Sequence, residues 1–173
     1  FWEQLGRHTE RVRTIYKRLD FQQNLRRQRL AGIYKVLYNT SGTYLCSCVV
    51  DASNLNYWAN RNIRPKGFVA ESKTYWFETE NAKEAHYLCA ILNAPFVDKV
   101  IKPFQTKGSF GARDIHRRPF EVLPIPSFDP ADERHKRLAE LSCTCHEMVA
   151  QAIAKGKLPT EGPIGRLRQK VRE

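Results

Sequence analysis

Apolar positions recur at alternating spacings of three and four in two stretches near the ends of the chain. Leu5, His8, Val12, Ile15 and Leu19 form one stripe, with Arg7, Arg11, Arg13, Lys17 and Arg18 around the rest of the surface, which predicts a packed helix with a basic exterior. His8 in that stripe reads as a half-buried, satisfied histidine. Leu138, Leu141, Cys145, Met148 and Ala152 form the second stripe, opened by Asp129-Pro130 as N-cap and first-turn proline and closed by Gly156 and Pro159. Two such stripes at opposite ends predict long N- and C-terminal helices packed together.

Between them the period changes. Residues 32–39 and 43–51 are rich in Tyr, Val, Leu and Ile and read as strands, joined as a hairpin by the turn formers Asn39-Thr40-Ser41-Gly42. A third strand is expected within 67–77, interrupted by Glu71-Ser72-Lys73, after a loop over 53–66 that carries Asn56, Asn60, Arg61, Arg64 and Lys66 and reads as plain surface. Asn81 is a candidate N-cap with Glu84 three residues on, and Ala85, Leu88, Cys89 and Leu92 share a face of a helix that should stop by Pro95. A short amphipathic helix with Phe96, Val97, Val100 and Ile101 leads to Pro103, and 122–128 reads as an edge strand or surface strap because prolines interrupt it.

These elements predict an α+β architecture, a small mainly antiparallel or mixed sheet with several supporting helices. The expected organisation is an N-terminal helix and basic connection over 1–30, a recognition core over 31–128, a supporting helix over 129–157 and a charged tail or linker over 158–173. No apolar run approaches the ~18 residues that cross a bilayer, so the expected setting is cytoplasmic, with no membrane. The chain opens on Phe1 and holds a single methionine, Met148, which suggests a piece of a longer polypeptide.

Charge changes the picture more than composition does. The 173 residues carry 29 Lys and Arg against 18 Asp and Glu, a formal charge of +11, and so large an excess points to nucleic acid or an anionic surface. The five cysteines, Cys46, Cys48, Cys89, Cys143 and Cys145, lack a Cys-x-x-Cys pair and read as free thiols without a metal.

The densest chemistry lies in residues 93–126. Between residues 99 and 118, Lys99, Lys102, Lys107, Arg113, Arg117 and Arg118 stand against Asp114, interleaved with Gln105, Ser109, His116 and two glycines. With Arg26, Arg27 and Arg29, the cations Lys99, Lys102, Arg117 and Arg118 suit phosphates, which fix affinity and register. Gln105 has the fork for adenine, Arg113 or Lys107 for guanine, and Ser109 and His116 are secondary candidates for base contact. Phe104, Phe110 and Phe120 are expected to anchor the loop to the core.

A family pattern is visible in Gly32-Ile33-Tyr34-Lys35-Val36, Thr74-Tyr75-Trp76, Tyr87-Leu88-Cys89-Ala90-Ile91-Leu92-Asn93-Ala94, Gly108-Ser109-Phe110-Gly111 and Leu123-Pro124-Ile125-Pro126. In this order, over about residues 30–155, they resemble the TaqI-like specificity domain of adenine-N6 DNA methyltransferases, the C-terminal target-recognition region also found in fused type II restriction-modification enzymes. The resemblance implies double-stranded DNA as partner, a catalytic methyltransferase or nuclease domain elsewhere in the parent polypeptide, and S-adenosylmethionine as that domain's cofactor.

The motifs for catalysis themselves are missing from the sequence. There is no Asn/Asp-Pro-Pro-Tyr/Phe, and the Gly108-to-Gly111 pair follows a proline-bounded basic segment rather than the strand a cofactor loop needs. Glu71-Ser72-Lys73 has no suitable aspartate in a preceding strand to complete a nuclease centre. The expectation is recognition without catalysis or cofactor in this chain. Two alternatives stay open: a nucleic-acid-binding module without sequence preference, and a helical subunit-assembly domain.

Overall fold

A computed structural model describes residues 20, 23–55, 65–106 and 113–155. They form an α+β unit around two small antiparallel sheets. The larger sheet has the order β3-β1-β4, with β1 (Tyr34–Asn39) central, β3 (Ser47–Asp51) on one side and β4 (Thr74–Thr79) on the other. Tyr34 stands opposite both Asp51 and Thr79, and Tyr38 opposite both Ser47 and Tyr75. The smaller sheet pairs β2 (Ser41–Gly42) with β5 (Arg113–Asp114).

The period of two decides the faces. Val36, Tyr38, Val49 and Tyr75 face the principal core, where they meet Ala85, Leu88, Cys89 and Leu92 of α1 (Ala82–Asn93), Val97 and Ile101 of α2 (Pro95–Ile101), and Ile115. Val36, Cys89, Ile101 and Ile115 are wholly buried, and a Val or Ile so enclosed contributes about 1.5–3 kcal/mol from desolvation. Tyr38 and Tyr75, directly opposed, stack at 5.3 Å between ring centroids.

Lys35 and Leu37 point to the other face, where Lys35 is 0% exposed. Its Nζ pairs with Glu78 at 3.0 Å and donates to Gln28 Oε1 at 3.2 Å. Gln28 in turn copies a strand with its side-chain amide, accepting from Ala70 N at 2.8 Å and donating to Ala70 O at 2.7 Å. The segment bearing Ala70 comes close because Gly67 lies against Leu30: a Cβ there would stand 2.4 Å from the Leu30 carbonyl.

Asn81 does cap α1, accepting from Lys83 N at 3.0 Å and Glu84 N at 3.4 Å. The reciprocal half of the expected capping box is rerouted, since Asn81 N donates to Thr79 Oγ1, which in turn donates to Glu84. Helix α1 ends at Asn93, before Pro95, and α2 follows it as expected. A 3-10 turn, Lys102–Phe104, and the short α3 (Arg118–Val122) carry the chain to a non-helical strap over 123–129. The strap is fastened by the Tyr87 hydroxyl donating to Pro126 O at 3.1 Å.

Several expectations need correction. Strand β4 runs over Thr74–Thr79 rather than within 67–77, while of the two readings of 122–128 the surface strap holds and the edge strand does not. The hairpin between β1 and β3 lacks a tight turn at Asn39–Gly42; Ser41 and Gly42 are drawn off to pair with Asp114 and Arg113. Helix α4 (Glu133–Ala154) is capped by Asp132, not Asp129. It packs on α1 through Ala139 and Ser142, leaving Leu141 at 45% and Met148 at 37% exposure. Small side chains let the two helix backbones approach closely, so the contact face is set by size rather than hydrophobicity. The first helix and the tail lie outside the described residues, and with them the predicted packing of the terminal helices.

Polar side chains close the β3 edge. The outward amides of Leu45, Ser47 and Val49 donate in turn to Asp98 Oδ1 at 2.9 Å, Asn93 Oδ1 at 3.0 Å and His146 Nε2 at 2.9 Å. Each helix packed along that edge supplies one acceptor, which removes a template for unwanted strand pairing. Among the described residues no helix is long and apolar enough to cross a membrane.

Candidate nucleic-acid interface

The basic segment is held at one end of the larger sheet by the backbone of Thr40. Its carbonyl accepts from Ile115 N at 2.9 Å and His116 N at 3.0 Å, while its amide and hydroxyl both donate to Lys73 O at 3.2 Å. Asn39 shapes the adjoining loop, donating from Nδ2 to Ser41 O and Tyr44 O and accepting from Cys46 N. Buried Ile115 pins the segment to the core, and His116 takes a φ of +42°, a left-handed conformation uncommon for a residue with a Cβ. The result is a fixed platform from which residues 116–118 project.

Three of the predicted phosphate-binding cations, Lys102, Arg117 and Arg118, flank this platform, and the fourth, Lys99, lies on α2. Arg117 and Lys99 are exposed, and among the described residues neither has a carboxylate within 4.0 Å. Lys102 reaches Asp98 at 3.2 Å and lies 5.2 Å above the Tyr44 ring. Arg118 pairs with Glu121 at 2.9 Å, both side chains at least 44% exposed, so solvent screens the pair and an incoming phosphate can displace it. The Tyr38 phenol is raised well above its ordinary range by burial and the nearby Tyr75, against a smaller lowering by the Arg117 charge.

The candidates for base contact divide. Arg113 is half-buried and donates from Nη1 to Lys102 O at 3.3 Å, leaving the rest of its fork at the platform's flank. His116 is exposed, with Nε2 3.7 Å from Asp114 and its ring edge-on to Tyr75. Gln105, expected to read adenine, is only 8% exposed and is turned inward behind the 3-10 turn. Lys107 and Ser109 lie outside the described residues.

Arg26, Arg27 and Arg29 do not join this group. Arg26 pairs with Asp20, Arg29 with Glu80 at 2.8 Å, and Arg27 is exposed. Glu80 follows the end of β4 whose beginning lies beside Thr40, so the two cation groups occupy opposite ends of the sheet. The six residues of β4 separate them by about 17 Å, a distance that fits within one turn of duplex, about 34 Å.

The aromatic anchors are not where the sequence placed them. Phe104 is 54% and Phe120 45% exposed, although Phe120 leans on Tyr38 at 6.0 Å between centroids; Phe110 lies outside the described residues. Buried Ile115 does the anchoring instead. Lys73 and Tyr44 also belong to the platform, and neither carried a sequence signal: Lys73 arrives through the long-range pairing of its carbonyl with Thr40 N, and Tyr44 lies under the Lys102 ammonium.

Beside the platform a groove of about 830 Å³ runs between residues 42–48 and α4, lined by Tyr44, Leu45, Cys46, Ala94, Leu138 and Val149 among others. Its polar groups are largely engaged: His146 accepts from Val49 N and lies 5.0 Å from the His86 ring, which in turn bonds Ser142 Oγ at 3.1 Å. Among the described residues no three His, Cys, Asp or Glu side chains stand close enough to hold a metal ion. No protein-family model matches the chain, and neither does any curated protein.

Proposed function

We propose that this chain recognises double-stranded DNA as the specificity domain of an adenine-N6 restriction-modification methyltransferase, with no catalysis of its own. The observation that carries the reading is the rigid mounting of Arg113, His116, Arg117 and Arg118 on Thr40, with Lys73 and Lys102 at either side. A cationic ridge of this kind suits a sugar-phosphate backbone, and its half-buried Arg113 suits a guanine edge. The motif resemblance over residues 30–155 and the absence of catalytic motifs support the same reading. Phosphate contact falls to Lys99, Lys102, Arg117 and Arg118, with Arg26, Arg27 and Arg29 about 17 Å away as a second contact along the duplex.

The test is selection of random double-stranded oligonucleotides by the purified chain, and again by the parent polypeptide, followed by binding at graded salt. Enrichment of one sequence, with affinity falling steeply as salt rises, is expected. Equal recovery of all duplexes by both proteins would overturn sequence recognition.

One observation favours a second reading, a nucleic-acid module without sequence preference. Tyr44, Phe104 and Phe120 stand about half exposed among the cations, and exposed aromatics beside cations can stack unpaired bases. Preference for single-stranded over duplex oligonucleotides in direct competition would select that reading.

A further inference from the structure

The two edges of the larger sheet are finished differently. Side chains of Asp98, Asn93 and His146 close β3, whereas among the described residues the β4 edge is open. Thr40 N donates to Lys73 O, so along β4 residues 73, 75, 77 and 79 face β1, and 74, 76 and 78 face outward. Thr74 N turns back to Glu71 O at 3.1 Å. Among the described residues nothing meets the outward N–H and C=O groups of Trp76 and Glu78. Thr74–Thr79 contains no proline, and it is paired without a bulge across all six residues. Two usual protections of an edge, a proline and a bulge, are therefore absent from this strand, and its one charge, Glu78, is turned to Lys35.

We propose that β4 pairs antiparallel with β4 of a second copy of this chain, Trp76 opposite Trp76 about a twofold axis, giving one sheet in the order β3-β1-β4-β4-β1-β3. The register follows from the alternation. Outward groups must meet outward groups, and only the pairing centred on Trp76 sets all three outward residues opposite one another: Trp76 exchanges two bonds with its copy, and Glu78 N donates to Thr74 O twice, the Thr74 N–H staying with Glu71 O. The same register sets Tyr75 opposite Phe77 twice on the α1 face, where Phe77 is 40% exposed for lack of helix cover. It also sets Lys73 opposite Thr79 on that same face. A slide by two residues would put Lys73 opposite Phe77 and break both aromatic pairs. The segment is thus self-complementary in hydrogen bonds and aromatic pairs, as a twofold interface requires.

The test is light scattering of the purified chain over a concentration series, with amide hydrogen exchange read at Trp76 and Glu78. A dimer is expected, with protection of those two amides growing as it forms. Phe77→Lys should raise the dissociation constant about tenfold, because two aromatic pairs are lost at once, with an unchanged circular dichroism spectrum. If that variant does not fold, the milder Phe77→Thr, at the same exposed position, should raise the constant severalfold by removing the aromatic pairs alone. A monomer at every concentration overturns the proposal. So does a dimer whose Trp76 and Glu78 amides exchange freely, which would place the contact elsewhere, or protection that ignores concentration, which would mean that the chain covers its own edge.

Discussion

Asn93 pairs with Ser47 as though it were one residue of a neighbouring strand: its side-chain amide accepts from Ser47 N at 3.0 Å and donates to Ser47 O at 2.8 Å. The same Nδ2 also donates to Cys89 O, one turn back in α1, so the last residue of a helix is locked onto the edge of a sheet. Replacing Asn93 with Ala removes both strand-like bonds and opens the edge. Because water can reach part of the site, the expected loss is about 1–2 kcal/mol, read from urea unfolding. An unchanged midpoint would mean that Asn93 merely lies beside the strand.

Lys35 and Glu78 form the one ion pair described whose lysine is fully buried, at 3.0 Å. Taking Glu78 to Ala strands the ammonium with Gln28 Oε1 as its remaining acceptor, and should cost about 3 kcal/mol. Lys35→Met alone should cost far less, since no buried charge is left behind, and Lys35→Met in the Glu78→Ala background should restore much of the loss. Additive losses in this double-mutant cycle would show that the pair is not coupled.

These two relationships also mark how far the sequence could be read. The Asn81 cap, the end of α1 before Pro95, the paired strands β1 and β3, and the short helix after Pro95 follow from local rules: capping chemistry, proline geometry and apolar period. Lys35 gave no such sign, because a charge inside a strand becomes tolerable only through Gln28, seven residues back, and Glu78, far away in the chain. The face of α4 was misjudged for a similar reason, with Ala139 and Ser142 filling a close helix contact while the larger Leu141 and Met148 stay outside. At the candidate site, charge density located residues 113–118, but the Thr40 carbonyl that mounts them is a backbone group and leaves no trace in side-chain pattern. Gln105 had the right chemistry for a base edge; its burial depends on a 3-10 turn that the sequence marks only by Pro103.

His86 and His146 meet edge to face at 5.0 Å between α1 and α4. Burial, and secondarily the His146 charge, hold the His86 pKa below its ordinary value. The folded chain therefore binds fewer protons here than the unfolded chain. This contribution is fully present above the unfolded value of about 6.5 and is lost as pH falls through it toward the lower folded value. Urea midpoints should drop between about pH 7 and pH 5, with a shallower drop in His86→Gln, which keeps a hydrogen-bonding side chain near Ser142 but does not titrate. Identical slopes would place the acid sensitivity in other groups.

The three positions at the platform separate mounting from reading. Arg117, exposed and without a carboxylate partner among the described residues, should act on phosphate alone: Arg117→Ala is expected to weaken all duplexes about equally and reduce the salt slope by about 1. Arg113→Ala should cost about 1–3 kcal/mol on the preferred site and blur one base position. Gln105→Ala should instead lower the unfolding midpoint and leave base preference intact, because that side chain is only 8% exposed. Duplex panels measured at two salt concentrations, alongside urea unfolding, distinguish these patterns. If Gln105→Ala changes base preference while stability holds, the loop must turn that side chain outward on DNA, and the assignment of reading to Arg113 would lose its basis.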